Sequence, residues 1–384
     1  MNKGEKTAFA LAYLIAEKLS GGKAQIPAEI SVSDVFALAR AHGLGALCAS
    51  ALSDIGLCDE NMSEHRARSV RKIILLDAER RAISDSLTER GIAHLPLKGV
   101  LLKSLYPSVG DREMSDNDIL IDSPRRAEVR EIFTQRGYET KSYGGSHDDV
   151  YMKKPVYNFE MHVSLFNDNE NPRFAKYFEG ALDRSACVSG EMREMEREDF
   201  YLYLTAHEYK HYSHGGTGIR SLLDAYLYLE ANPDMDMNRI DEGLSALGIA
   251  EYEKSRRDLA KKLFDKNRSR ELMLGEASLS VDEKRMLSYF IGSGVYGTEK
   301  NRIENELERA GGGSRIRYVF RRIFPKMEWY EANAPTVYKH KILIPFYVVK
   351  RLLVNLILSP AKIWRELKTI KKVKGKENGV SREK

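Results

Sequence analysis

The chain has 384 residues, of which 42% are hydrophobic and 30% are charged, and this composition is typical of a soluble globular protein. Its formal charge of +5 permits an anionic partner without requiring one. The cysteines at positions 48, 58 and 187 lack the CxxC spacing of a zinc ribbon, which argues against a metal or disulfide framework and favours a reducing cytoplasm.

Residues 1–90 are predicted to form an N-terminal helical region. Apolar residues recur there at three- and four-residue spacing, which predicts helices over 5–20, 34–56 and 62–90. Ser33 is a candidate N-cap for the second helix, and Gly43 and Gly45 interrupt it. No chemistry is visible in this region, which we expect to pack against a catalytic domain.

Residues 91–190 contain the most informative stretch of the chain. A short strand over 93–97 turns at Lys98-Gly99 into a helix over 100–105, and a glycine at such a turn lets a phosphate approach the backbone. A strand over 116–122 would place Asp116 and Asp118 on the same face, because side chains alternate along a strand. Two carboxylates at this spacing suit Mg²⁺ or Mn²⁺.

The rest of this region alternates helix and strand. Ser123-Pro124 begins a predicted helix that ends at Gly137. Strands are predicted over 138–143, 150–153 and 157–165. The order predicts a mixed sheet with helices on one side, so the fold class is α+β with flanking helical regions.

Residues 191–335 are predicted to form a helical domain, and residues 336–384 an amphipathic helix with a basic tail. The predicted helices from residue 172 onward cover 172–183, 198–213, 217–231, 236–247, 250–267, 282–291 and 300–324, the last interrupted by glycines at 311–313. The apolar segment 342–358 carries Lys350 and Arg351, which argues against a transmembrane span. It is predicted to be a buried amphipathic helix; the alternative is a helix on a membrane surface.

A resemblance to a known family follows from the 95–121 stretch. Lys98-Gly99, Tyr106-Pro107, Arg112 and the run over 114–120 resemble the uncharacterised nucleotidyltransferase family of the DNA polymerase β-type superfamily. The same run is similar to the AbiE-type toxins. The resemblance implies an NTP substrate, Mg²⁺ or Mn²⁺ as cofactor, and a metal-dependent transferase of the EC 2.7.7 type.

The resemblance also implies roles for residues outside the Asp pair. Glu160 matches the third carboxylate of a Glu-x-His strand, so Asp116, Asp118 and Glu160 would hold the metal, with Glu160 as general base. His162 would contact the acceptor or orient Glu160. Its alternative is a packed core histidine.

A second set of residues is expected to bind the nucleotide or to complete the cleft. The Lys98-Gly99 turn would bind the triphosphate, with Gly99 through its backbone and Lys98 as a point charge. It departs from the Gly-Ser turn that is usual in the superfamily. The nucleotide-binding residues predicted are Lys98, Gly99, Arg112, Ser115 and Lys210, and those for the acceptor or cleft are His162, His207, His211, Arg220 and Asp224.

Residues 207–211 also match the zinc-peptidase motif H-E-x-x-H. Two histidines at i and i+4 share a helix face and could bind zinc, with Glu208 as general base. Against this, Lys210 places a charge inside the motif, and His214 stands where the metzincin pattern needs glycine.

The sequence therefore predicts transfer of a nucleoside monophosphate from an NTP to a hydroxyl, with release of pyrophosphate. A small molecule or sugar precursor, a tRNA end and a protein side chain are all compatible acceptors. The alternatives are a zinc metallopeptidase and a non-catalytic nucleotide-binding or toxin–antitoxin protein. The predicted location is cytoplasmic, with membrane contact through the C-terminal basic segment as an added expectation.

Overall fold

The computed structural model describes most of the chain and divides it into two units. The described residues are 3–168, 170–295, 297–298, 300–303, 305, 320, 323–325, 327, 330, 334–358 and 364. The first unit comprises residues 1–209 with 217–295, and the second comprises 210–216 with 296–384. The four-region division of the sequence stays a prediction.

Helices precede the sheet, as the apolar spacing predicts. They are α1 (Lys3–Leu19), α2 (Val32–Ala41), α3 (Gly45–Asp54) and α4 (Glu60–Glu89). The long second helix is divided because Gly43 adopts a φ of +65°, a conformation that glycine tolerates best. The predicted N-cap was wrong by two residues: the Ser31 side chain, not that of Ser33, accepts a hydrogen bond from the Asp34 N–H.

Strands and helices alternate in the middle of the chain. Their bounds are β1 (His94–Pro96), α5 (Gly99–Leu102), β2 (Asn117–Ile121), α6 (Arg126–Gln135), β3 (Glu139–Ser142), β4 (Asp148–Lys153), β5 (Tyr157–His162), α7 (Pro172–Tyr177), α8 (Ala181–Arg184), β6 (Ala186–Ser189) and β7 (Met192–Glu194). Within the described residues these strands form one mixed sheet in the order β3-β4-β5-β2-β1-β7-β6. The expected α+β class is therefore confirmed.

Further helices complete the first unit. They are α9 (Arg197–His214), α10 (Ile219–Ala231), α11 (Met237–Leu247), α12 (Ala250–Phe264), α13 (Lys266–Leu274) and α14 (Val281–Ser293). α9 extends to residue 214 and so enters the 210–216 segment. The N-terminal helix α1 packs against α12 and α13, and α3 packs against α4.

Helices cover both faces of the sheet, and this differs from the predicted one-sided cover. Ile119 and Ile121 of β2 pack with α4 and α6 residues such as Ile83 and Phe133. The alternate residue Leu120 belongs to the other core, which is built on α9 and α11. Since side chains alternate along a strand, Asp118 shares the α9 face with Leu120.

The sequence prediction missed the β6–β7 hairpin and two helix breaks. The first break divides the predicted helix over 172–183 into α7 and α8, where Gly180 adopts a φ of +69°. The residues of β6 are exposed and those of β7 are at most half-buried, so the hairpin lacks the apolar alternation by which strands are recognised. The predicted helix over 250–267 is in fact two helices. Asp265 divides them, because its side chain caps α13 by accepting from the Asn267 and Arg268 N–H groups.

The second unit includes two described helices, α15 (Pro335–Lys339) and α16 (Ile344–Leu358). α16 covers the predicted apolar segment and is preceded by a 3₁₀ turn over 341–343. The predicted burial is not seen in the described residues, because Phe346, Val349 and Leu353 are exposed and only Val348 is buried. The predicted helix over 300–324, its glycine break and the basic tail lie outside the described residues, apart from isolated positions. None of the described helices combines the length and the apolar character that a membrane crossing requires.

Candidate active site

The candidate site is built where β2 and β5 run side by side. These strands are parallel, and their register pairs Asp118 with Glu160 and Leu120 with His162. The intervening Met161 packs into the opposite core, so Glu160 and His162 share the face that carries Asp118. The two carboxylates predicted from the sequence therefore meet because the strands pair in this register.

Potential metal-ligand atoms converge at this point. One atom each from Asp118, Glu160 and His162 lies within 4.8 Å of the other two. His162 Nε2 lies 3.0 Å from Asp118 Oδ1, which leaves Nδ1 buried with no hydrogen-bond partner among the described residues. The hydrogen-bond partner of His162 among the described residues is thus Asp118, and its predicted role toward the acceptor or Glu160 stays a prediction.

The charges at this site are coupled. Burial alone would raise the pKa of the Asp118 carboxyl, but Lys98 and His162 together lower it well below its usual range. Lys98 Nζ donates to Asp118 Oδ1 at 2.8 Å. Burial, followed by the charges of Asp118 and Asp116, raises the pKa of Glu160 to about 7. Crowded carboxylates of this kind are stabilised by a bound cation.

Asp116 lies immediately before β2 and accepts a hydrogen bond from Ser115 Oγ at 3.0 Å. Burial and the neighbouring Asp118 raise its pKa. Asp116 is outside the compact group formed with Glu160 and His162. Its role as a metal ligand, like that of Ser115 as a nucleotide contact, stays a prediction.

The Lys98-Gly99 turn has an unusual backbone. Lys98 adopts a φ of +49°, which L-residues rarely do, and such strain is typical of functional sites. A side chain at Gly99 would overlap Nη1 of Arg112, so the Arg112 guanidinium, which is bound to Asp224, would have to shift to accommodate it. The predicted helix over 100–105 is a four-residue α-helix followed by a 3₁₀ turn. The phosphate contact of Gly99 stays a prediction.

Arg112 forms a buried link to α10. Its Nε and Nη2 donate to the two carboxylate oxygens of Asp224, both at 2.8 Å, and the Tyr106 hydroxyl donates to the same carboxylate at 2.7 Å. Arg220, one turn earlier on α10, donates to the Glu113 carbonyl at 2.9 Å. These contacts fix α10 against the segment that leads into Asp116 and Asp118, which we call the acidic pair.

The H-E-x-x-H segment has a structural use in α9. Glu208 is buried and accepts hydrogen bonds from Arg256 Nη1 at 2.7 Å and from the Tyr252 hydroxyl at 2.9 Å. Among the described residues, no group of three metal-ligand side chains includes His207 or His211. This geometry gives the zinc-peptidase alternative no support.

Lys210 and His211 belong to the second unit, whereas His207 belongs to the first. The His207 ring lies 6.0 Å from that of Tyr203, measured between ring centroids. The predicted roles of these three residues at the nucleotide or the acceptor stay predictions.

Comparison with known proteins gives one match. Neither a search of curated proteins nor a search of solved structures finds a match for the chain. The additional likeness to AbiE-type toxins stays a prediction. The sequence model of the family described as uncharacterised nucleotidyltransferase matches residues 28–265, more than half of the chain. The chain therefore belongs to the uncharacterised nucleotidyltransferase family.

Proposed function

We propose that this protein transfers a nucleoside monophosphate from an NTP to a hydroxyl acceptor and releases pyrophosphate. The observation that carries the proposal is the β2–β5 register, which sets Asp118 beside Glu160 and brings His162 to the same group. Membership of the nucleotidyltransferase family supports the reaction class.

The residues at this site fit a divalent cation. Asp118 and Glu160 offer hard oxygen ligands, which favours Mg²⁺ or Mn²⁺, and His162 offers an imidazole nitrogen. Asp116 is a further proposed ligand from the same strand end. When bound, the cation supplies charge neutralisation at the triphosphate and activation of the acceptor hydroxyl.

Glu160 is the proposed general base. Without a cation, burial and the charges of Asp118 and Asp116 raise the pKa of Glu160 to about 7; a bound cation would lower that pKa and leave the carboxylate in its ionised, basic form. Lys98 holds Asp118 in the ionised form, because their ion pair stabilises the carboxylate. Both neighbouring carboxylates are thus proposed as metal ligands, and Glu160 is in addition the proposed acceptor of the proton from the acceptor hydroxyl.

The other predicted nucleotide-binding residues are also proposed to contact the NTP. Lys98, Gly99, Arg112 and Ser115 lie around the acidic pair, and Arg220 interacts electrostatically with Asp116. Two of the three guanidinium nitrogens of Arg112 already bind Asp224. Its main task is therefore to position α10, and Nη1, beside Gly99, is the nitrogen left for phosphate.

Pyrophosphate release tests the reaction. Each of the four NTPs would be offered with Mg²⁺ or Mn²⁺ to a panel of hydroxyl acceptors: sugar phosphates, tRNA and protein. We expect acceptor-dependent release from the wild type and a loss of at least about 100-fold in Asp118→Asn and Glu160→Gln, as is usual when a group acting in the transition state is removed.

Asp122→Asn is the matched control, because Asp122 follows directly after β2 and lies outside the metal-ligand group. Its rate should equal that of the wild type. Pyrophosphate release that survives Asp118→Asn would contradict the proposal. NTP binding without release for any acceptor class would instead favour a non-catalytic nucleotide-binding protein.

We also propose that α16 lies on an anionic membrane surface. Its residues Phe346, Val349 and Leu353 recur at helical spacing and are exposed, and so is Ile342 in the preceding turn. The exposed Lys350 and the basic residues that follow in the sequence would favour anionic lipid. Co-sedimentation with anionic but not neutral vesicles tests this. The predicted cytoplasmic location stays a prediction.

A further inference from the structure

One face of helix α4 lies along the segment that leads into the acidic pair. Ser69 Oγ donates to the carbonyl of Gly110 at 2.7 Å, and the Asn117 side chain donates to the carbonyl of Leu76 at 3.4 Å. Residues three or four apart on a helix share a face, and Lys72 stands three residues after Ser69 and four before Leu76. Lys72 therefore faces the segment between these two contacts.

The electrostatic surroundings of Lys72 agree with this position. Partial burial lowers the pKa of the Lys72 ammonium. The negative charges of Asp116 and Glu113 act in the opposite direction and offset part of this shift. Glu113 is already engaged by His65, whose Nε2 lies 2.9 Å from its carboxylate. In the part of the chain that the structure describes, no hydrogen bond or ion pair holds the Lys72 ammonium.

Lys72 differs in this respect from the other basic residues around the site. Lys98 is bound to Asp118, Arg112 is bound to Asp224, and Arg220 donates to a backbone carbonyl. An ammonium with unused donors next to a metal-binding acidic pair is suited to a polyphosphate, because lysine binds phosphate as a compact point charge.

We propose that Lys72 binds the β- and γ-phosphates of the NTP substrate, so that the N-terminal helical region supplies a substrate-binding residue. This inference rests on the proposed function. It assigns α4 a task beyond packing: the helix carries a positive charge to the side of the site that faces Asp116. Lys72 is not proposed to contact the nucleoside portion of the substrate.

The test is the affinity of the protein for an NTP and for the matching nucleoside monophosphate in Mg²⁺, measured by calorimetry. The NTP is whichever of the four the wild type binds most tightly. Lys72→Met should weaken NTP binding by about 10- to 100-fold, the range for one lost charge-assisted hydrogen bond. Binding of the monophosphate should change by less than about 3-fold, and Lys72→Arg should retain most of the NTP affinity.

Arg71→Met is the matched control. It removes one positive charge from the neighbouring position of the same helix, where the side chain is exposed, and should change NTP affinity by less than about 3-fold because exposed charges are screened. Lys72→Gln provides a second neutral variant if methionine disturbs the helix, and thermal unfolding without ligand shows whether each variant is folded.

The outcomes separate this inference from the proposed function. NTP affinity unchanged in both Lys72→Met and Lys72→Gln would overturn the inference and leave the reaction intact. Equal losses in Lys72→Met and Arg71→Met would overturn it too, because the effect would then be that of net charge. Equal losses for NTP and monophosphate would also overturn the inference, because Lys72 would then contact a part of the nucleotide that both ligands share. Failure of the wild type to bind any of the four NTPs would overturn the inference and the proposed function together.

Discussion

At the scale of single residues, Asp118 connects most of the groups that give this site its chemistry. It accepts from Lys98 and contacts His162, while its strand register sets Glu160 beside it. The ion pair keeps Asp118 charged, and the resulting negative field contributes to the pKa of about 7 at Glu160. Burial of Glu160 is the larger cause of its raised pKa, and the charge of Asp118 adds to it.

His42 is a second residue whose environment sets its protonation. Its ring is fully buried, and Nδ1 accepts a hydrogen bond from the Ile219 N–H, the first residue of α10, at 3.1 Å. Burial, with the charge of Arg220, lowers the pKa of His42 from 6.5 to about 4. The neutral ring is therefore part of the anchor of the helix that carries Arg220 and Asp224.

Acidification should weaken the fold through His42. Above pH 6.5 both states hold a neutral ring, so His42 contributes no pH dependence there. Between pH 6.5 and about 4 the unfolded chain binds a proton that the folded chain does not, so the free energy of unfolding falls by about 3 kcal/mol in total. Urea unfolding at pH 7.5 and pH 4.5 measures this.

His42→Asn is the matching variant, because an amide oxygen can accept from the Ile219 N–H without titrating. Other groups lower stability equally in both proteins, so the wild type should lose about 2 to 3 kcal/mol more than His42→Asn between these pH values. Equal losses in the two proteins would show that His42 is not the group responsible.

At the scale of elements, the contact between α10 and the segment before β2 depends on a buried ion pair. Arg112 is bidentate to Asp224, and both side chains are at most 8% exposed. Replacing one partner of such a pair leaves the other as a buried charge without a counter-ion, whereas replacing both partners does not. The pair therefore holds α10 in one register against the acidic pair.

A double-mutant cycle measures this coupling. Arg112→Met should lower the free energy of unfolding by about 3 to 5 kcal/mol, because Tyr106 is then the one hydrogen-bond donor that Asp224 keeps among the described residues. The double variant Arg112→Met/Asp224→Leu should lose less than the sum of the two single variants by about 1 to 3 kcal/mol. Urea unfolding of the four proteins gives the coupling energy.

The exposed pair of Arg285 and Asp282 is the control, with an N–O distance of 2.8 Å and both side chains largely in water. Arg285→Met should change the free energy of unfolding by less than about 1 kcal/mol. Additive losses at Arg112 and Asp224 would mean that the buried pair does not link the two elements.

The strongly patterned elements could be predicted from the sequence, and the contacts between them could not. The spacing of Asp116 and Asp118 before an apolar run indicated the acidic strand, and resemblance supplied Glu160. The β6–β7 hairpin escaped prediction because its residues are largely exposed. Lys72 was not predicted because its local sequence is like that of the other basic residues of α4. It is distinguished by the packing of α4 against the 110–117 segment.

At the scale of the whole molecule, the first unit combines the sheet with helices from both ends of its sequence. α1 packs against α12 and α13, while α4 continues to the sheet and contacts β5. The N-terminal helices therefore contribute to the fold that positions the site. The pairing of these distant segments is a tertiary property, which helical periodicity alone does not predict.

The proposed function requires that this unit binds an NTP together with a divalent cation at Asp116 and Asp118. The most direct measurement is thermal unfolding of the wild type with each of the four NTPs, with and without Mg²⁺ or Mn²⁺, beside Asp116→Asn/Asp118→Asn. A ligand at about 100 times its Kd should add about 2.7 kcal/mol to the free energy of unfolding, which raises Tm by an amount on the order of a few degrees.

The Tm of the wild type should rise only when NTP and metal are both present, and this rise should be lost in the double variant. The variant must itself unfold cooperatively without ligand, which shows that the loss concerns binding and not folding. No rise with any NTP, or the same rise in the double variant, would contradict the claim.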